Sequence, residues 1–183
     1  MTLPIPSGFS IDRIGPADAA DLGSFLRLLT ADPETQAFFH PHPLSPRYAA
    51  DLCAHSGTIR NRHYLARYQG RPVGYALLHG WDEGAEVPSF SGAVHPRLRC
   101  LGIGHWLLAH GILEARQAAR QIRISVYRGN HRAIHLFRRF GFLFKGKNLQ
   151  ELAGVLDLAK APPLDCPPLD LLLLDVLLTR QAA

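Results

Sequence analysis

The sequence predicts an α/β (α+β) fold: one domain over residues 1–183, with a mixed central sheet of six to seven strands flanked by about four helices. Three observations lead there. A chain of 183 residues that is 47% hydrophobic can bury one good core but is short for two. Apolar runs of period two alternate with segments of period 3.6 along most of its length. A strand-like run ending at Val94 leads directly into a glycine turn and a long helical pattern, as in a strand–turn–helix unit.

The first strand is expected over 11–14. A helix follows from about Asp18, with Leu22, Phe25, Leu26 and Leu29 on one face. From Asp32 to Pro46, four prolines and the string from Phe38 to Pro43 argue against regular structure. Ser45-Pro46 then supplies an N-cap and a first-turn proline for a second helix, which turns Ala49, Leu52 and Cys53 inward. Strands near 63–68 and 73–79 are joined by a turn at Gln69-Gly70-Arg71-Pro72, and a fourth strand covers 87–94. The helix expected over 103–120 buries Leu108, Ile112, Ala115 and Ala119. Ile122, Ile124 and Val126 alternate with Arg123, Ser125 and Tyr127 in a strand with one apolar face. A short helix runs from Asn130 to its stop at Gly141, and strands near 142–147 and 152–158 complete the sheet. Residues 161–183 form a Pro/Leu-rich extension that reads equally as a docking helix or an extra strand, on its own domain or on a second copy.

Net charge is +5, from 20 basic and 15 acidic residues. The arginines gather at Arg97, Arg99, Arg128, Arg132, Arg138 and Arg139 rather than in one run, which suits a phosphate-rich small molecule better than nucleic acid. Cys53, Cys100 and Cys166 have neither disulfide-framework nor zinc spacing, so a reducing cytoplasm is expected. The N-terminus lacks the basic and apolar segments of a secretory signal. The apolar stretch over 169–178 is too short to span a bilayer and is interrupted by Asp170 and Asp175, so no membrane partner is expected.

Two phrases carry the chemistry. In the first, from Val94 through Arg99 to Gly102 and Gly104, the glycines let backbone N–H groups at a helix N-terminus approach a phosphate, and Arg99 adds a fixed charge. In the second, Asn130 closes a strand and caps a short helix that includes Ala133, Ile134 and Leu136 and ends at Gly141-Phe142.

These phrases, their order and the predicted topology resemble the GNAT superfamily of acyl-CoA-dependent N-acyltransferases. Arg99, Gly102 and Gly104 meet that family's Arg/Gln-x-x-Gly-x-Gly/Ala pattern behind Val94. The resemblance implies that Ala93 and Val94 pair with the pantetheine arm as though it were a strand. It implies that N–H groups of Cys100, Leu101, Gly102, Ile103 and Gly104 hold the pyrophosphate, and that Asn130 bonds the arm near the thioester. The implied activity moves an acetyl group from acetyl-CoA, the co-substrate, to a primary amine of a small molecule by direct attack. Two alternatives are an acyl-CoA-binding module with little catalysis and an acetyltransferase acting on protein or peptide amines. A P-loop enzyme is excluded because His105-Trp106 follows Gly104 where Lys-Ser/Thr would be needed.

One position departs from the family pattern. Where many members have a tyrosine able to protonate the leaving thiolate, this chain has Phe137, which cannot; Tyr127, His131 and His135 are nearby in sequence. Glu86, with Glu83 and Asp82 just upstream, is the expected base at the entry to the fourth strand. Phe39, His40 and Trp81 are expected to line the acceptor cleft. No metal is expected: His40 and His42 have no third ligand in view.

Overall fold

The structure, a computed structural model, describes residues 5–164 and 166–179. Strands β1 (Phe9–Arg13), β2 (Arg62–Tyr68), β3 (Arg71–His79), β4 (Ser89–Val94), β5 (Gln121–Tyr127), β6 (Leu143–Gly146) and β7 (Glu151–Asp157) form one seven-stranded sheet in the order β1-β2-β3-β4-β5-β7-β6. Every neighbouring pair is antiparallel except β4 and β5, which are parallel and share one rung, Ser89 opposite Arg123. Beyond that rung the two strands part, and the sheet opens into a V at its middle.

Helices α1 (Ala19–Thr30), α2 (Pro33–Phe38) and α3 (Pro46–Ala54) precede β2. Helices α4 (Ile103–Arg116), α5 (His131–Arg139) and α6 (Leu171–Thr179) come later. Leu22, Phe25, Leu26 and Leu29 of α1 are buried with Ala49, Leu52 and Cys53 of α3 against Leu65, Tyr75 and Leu77. A second, larger core joins α4, α5 and α6 to the opposite sheet face through Leu107, Leu108, Ile112, Ile122, Ile124, Ile134 and Leu174. Each fully buried leucine contributes about 1.5–3 kcal/mol. A truncation such as Leu26→Ala would cost about 2–5 kcal/mol.

The structure corrects the expectation that residues 32–46 lack regular structure. Asp32 accepts the Thr35 N–H at 2.7 Å and Pro33 occupies the first turn, so α2 begins with the same cap-and-proline signal as the Ser45-Pro46 start of α3. It ends where Phe39 turns extended, just before Pro41. Helix α4 is shorter than expected, breaking into turns after Arg116 that carry the Ala118 and Ala119 N–H groups back to the Ala115 carbonyl.

The described part of the extension, 161–164 and 166–179, packs against the rest of the chain. Trp106 Nε1 donates to the Pro167 carbonyl at 3.1 Å, Leu169 is buried beside Gly102, and α6 buries Leu174 and Leu178. Arg71 Nη1 also donates to the Leu178 carbonyl at 2.7 Å. Four prolines deprive the segment of ladder donors, and its described part passes the start of α4 without joining the sheet.

Candidate active site

The V between β4 and β5 is the centre of the site. On one side β4 is fully paired with β3, from His79 opposite Ser89 to Gly74 opposite Val94. On the other side it has no rung beyond Ser89, so alternate backbone N–H and C=O groups between Phe90 and Val94 face an open cleft as a sheet edge would. That cleft is a cavity of about 540 Å³. Phe90, Leu107, Leu136 and Phe137 make its apolar part, whereas Arg99, Cys100, His131, Arg132 and His135 make a polar, basic part. Gly111 brings α4 close underneath: a Cβ there would fall 2.7 Å from the Phe90 ring.

The turn before α4 opens onto this cavity. Gly102 is the N-cap with φ +91°, a conformation a glycine adopts without strain, and it has no side chain to accept the first N–H groups of the helix. A Cβ on Gly104, also in the lining, would meet Leu136 and Val94 at 3.6 and 3.8 Å, so any larger side chain would project into the cleft. The positive helix end and the glycine lining fit an anionic diphosphate. The apolar remainder fits a slender arm with amides.

Of the residues assigned to cofactor binding from sequence, Ala93, Val94, Arg99, Cys100, Gly102, Gly104 and Asn130 line the cavity. Ile103 is buried and Leu101 packs against the core, so these two can offer only backbone groups. Asn130 Oδ1 accepts the Ala133 N–H at 3.1 Å as a helix cap, and the residue also lines the cleft.

Arg99 has a partner that sequence spacing did not suggest. Its guanidinium forms an ion pair with Asp32, bonds Glu34 at 3.2 Å and donates to Thr35 Oγ1 at 3.0 Å, all at the start of α2. Glu34 pairs with Arg132 of α5 as well. The hydrogen bond from Arg99 outweighs the desolvation of Asp32 and holds its carboxyl down at about 2. The α2 start is therefore clamped across the basic end of the cleft throughout the neutral range.

A second cavity of about 440 Å³ meets the first at Phe38, Phe39, Phe90, Gly92, Asn130, Ala133 and Phe137. Its floor is the sheet face bearing Ser89, Ser91, Arg123, Ser125, Tyr127 and Glu151, and its roof is the α2 end with Phe38, Phe39 and His40. Phe38 and His40 both pack on Tyr127, with ring centroids 6.0 and 5.8 Å apart. His79 lines this cavity with Nε2 3.2 Å from Ser91 Oγ, and burial pulls its pKa below the usual imidazole value.

Beside that cavity, on the same face of the sheet, is a buried polar chain. His42 Nδ1 donates to the Pro43 carbonyl at 2.9 Å, so its Nε2 is the free acceptor and receives the Tyr75 hydroxyl at 3.0 Å; the Tyr75 oxygen in turn accepts from His63 Nδ1 at 2.6 Å. All three groups are satisfied with both imidazoles neutral. Burial lowers the pKa of both histidines, that of His63 to about 3.

A family model described as the acetyltransferase (GNAT) family matches residues 25–142, from α1 through the V to the Gly141-Phe142 pair after α5. The chain belongs to that family. The GNAT fold is equally plain in solved structures. An N-acetyltransferase from Staphylococcus aureus Mu50 superposes at TM-score 0.68 and 18% identity, over 83% of this chain and 99% of its own. The yncA protein of Salmonella typhimurium, solved with its cofactor acetyl-CoA, gives 0.66 and 20%, over 87% and 99%. A Vibrio cholerae spermidine N-acetyltransferase in complex with CoA and spermine gives 0.67 and 14%, over 85% and 98%. No curated protein matches the sequence.

Two residues assigned to chemistry or to the acceptor from sequence stand differently from the rest. Glu86 is exposed in the loop before β4, and neither cavity includes it in its lining. Trp81 is buried beneath the Arg62 guanidinium, 5.1 Å from its ring, also outside both linings. Phe39 and His40 do reach the second cavity. His42 turns away from His40 into the buried chain, so the two do not converge. His79 and Arg123 are not singled out by the sequence: Arg123 is one polar residue of an alternating strand, and His79 the polar end of an apolar run.

Proposed function

We propose that this chain transfers the acetyl group of acetyl-CoA to the amine of a small molecule, by direct attack in the V between β4 and β5. The observation that carries this reading is the unpaired inner edge of β4, which runs from the acceptor-side cavity to the glycine-capped start of α4. Acetyl-CoA supplies an acyl thioester. The α4 amides at Gly102 and Gly104 would hold its diphosphate, the β4 edge at Ala93 and Val94 its amide arm, and Asn130 the part near sulfur.

The amine must arrive uncharged, because an ammonium has no lone pair. His79 is the better proton acceptor than Glu86: it faces the acceptor cavity, and its lowered pKa keeps it neutral at physiological pH. Backbone N–H groups near Gly92 and Ala93, where β4 lacks its partner, would stabilise charge developing on the carbonyl oxygen. Attack forms the C–N bond and breaks the C–S bond. The thiolate leaves and takes a proton from solvent, which a thiol of pKa about 8.5 permits without the acid that Phe137 lacks.

A small acceptor is favoured over a protein chain by the roof of Phe38, Phe39 and His40 above the second cavity. The test is a thermal shift with coenzyme A, followed by thiol release from acetyl-CoA in the presence of an amine panel. Stabilisation together with amine-dependent release supports the reading. Stabilisation without turnover of any amine would favour the acyl-CoA-binding module, and no stabilisation would reject both.

A further inference from the structure

The charge balance of the acceptor-side cavity says what kind of amine belongs there. Its lining contains one carboxylate, Glu151, and that group is already engaged. It receives Lys147 Nζ at 3.0 Å, the Ser125 hydroxyl at 2.9 Å and Asn148 Nδ2 at 3.0 Å, and these bonds hold its pKa below the usual carboxylate value. Lys147 is neutralised by the same contact. Arg123 differs: it is exposed on the floor of the chamber, and its guanidinium forms no ion pair or hydrogen bond with any described residue. It sits on the last rung shared by β4 and β5, opposite Ser89 on one side and Val155 on the other, at the closed end of the V. The uncompensated charge of the chamber is therefore positive and localised.

We propose that the natural acceptor is an amine that also carries an anionic group, a carboxylate or a phosphate ester, which seats on Arg123 beside the Ser89 hydroxyl while the amine faces His79 and Ser91. This rests on the acetyl-transfer reading above. Ser89 and Ser91 lie two residues apart on β4, roughly 7 Å, which sets the scale of the separation between anion and amine. An arginine fork binds either anion in a bidentate manner. It also disfavours polyamines, whose second ammonium would face Arg123 with no free carboxylate in the lining to receive it. His40 and Tyr127 also face this cavity, and neither adds a carboxylate to it.

The experiment uses the full chain with saturating acetyl-CoA and follows thiol release with n-propylamine, β-alanine, phosphoethanolamine and spermidine. The expected result is kcat/KM at least tenfold higher for β-alanine or phosphoethanolamine than for n-propylamine and spermidine; whichever of the two leads identifies the anion. In Arg123→Gln that advantage should disappear through a KM rise of tenfold or more, while the thermal shift with coenzyme A persists. Arg123→Glu should move the preference toward spermidine. The proposal is overturned if spermidine is the best acceptor of the native chain, if neither anionic amine is turned over, or if the anionic preference survives in Arg123→Gln. Turnover of spermidine alone would leave the acetyltransferase reading standing, whereas loss of the coenzyme A shift in the native chain would end both.

Discussion

Arg99 and Glu34 face each other 3.2 Å apart across the basic end of the cleft, and Glu34 also pairs with Arg132 from the opposite wall. An incoming diphosphate and the Glu34 carboxylate therefore seek the same two guanidinium groups. Glu34→Gln should tighten coenzyme A binding several-fold at low salt, with the gain shrinking as ionic strength rises. Titration calorimetry at two salt concentrations measures this. Unchanged affinity would mean that neither arginine reaches the phosphates.

The glycine turn gives a graded prediction. Gly104→Ala should keep most coenzyme A binding, because its Cβ meets neighbours at ordinary contact distance, whereas Gly104→Leu should abolish the thermal shift by filling the cleft. Gly102→Ala should instead cost about 1 kcal/mol or more of stability, since φ is +91° and its Cβ would press on Leu169 at 3.2 Å. Chemical denaturation of the three variants separates lost binding from lost stability.

If His79 takes the amine's proton, kcat at saturating acceptor should fall as acid protonates it, with a midpoint below the usual imidazole value of about 6.5 because burial depresses the pKa. His79→Gln should reduce kcat about 100-fold near neutrality and remove that acidic limb. A variant that keeps both native kcat and the limb would eliminate His79 as the base.

The His42–Tyr75–His63 chain ties stability to pH. The folded pKa of His63 is lowered to about 3, so between pH 6.5 and 3 the unfolded chain binds a proton that the folded chain refuses. Its contribution is intact above pH 6.5 and fades as the pH falls through that window. His63→Gln should flatten, without abolishing, the acid-side decline in melting temperature, because His42 and His79 are depressed in the same direction. An unaltered decline would show that His63 is protonated in the fold.

Phe137 lines both cavities, with Phe90 and Phe142 packed against its ring. Phe137→Tyr adds a hydroxyl in the cleft and should raise kcat up to about tenfold if thiolate protonation limits turnover. Steady-state rates above and below pH 8 check this, and a drop in kcat would indicate that the apolar wall matters more than the acid.

Local features were legible in the sequence because their causes lie within a few residues. Asn130 capping α5, Ser45-Pro46 starting α3, the glycine turn behind Val94 and the apolar face of α1 all behave as their spacing requires. Asp32-Pro33 carried the same signal and was masked by the prolines around it, which makes α2 a misreading of composition rather than a missing cue. Element order and the glycine turn were enough to indicate the family.

What the chain could not declare by itself is which side chains meet. Glu34 finds Arg99 across 65 positions of sequence, and Tyr75 finds His42 across 33. Arg123 is left without a carboxylate in its cavity because Glu151, the one in the lining, is taken by Lys147. Caps and periodicity are one-dimensional and survive in sequence, but ion-pair partners, a free charge and the direction a loop carboxylate faces are fixed only when distant strands and helices close around one space.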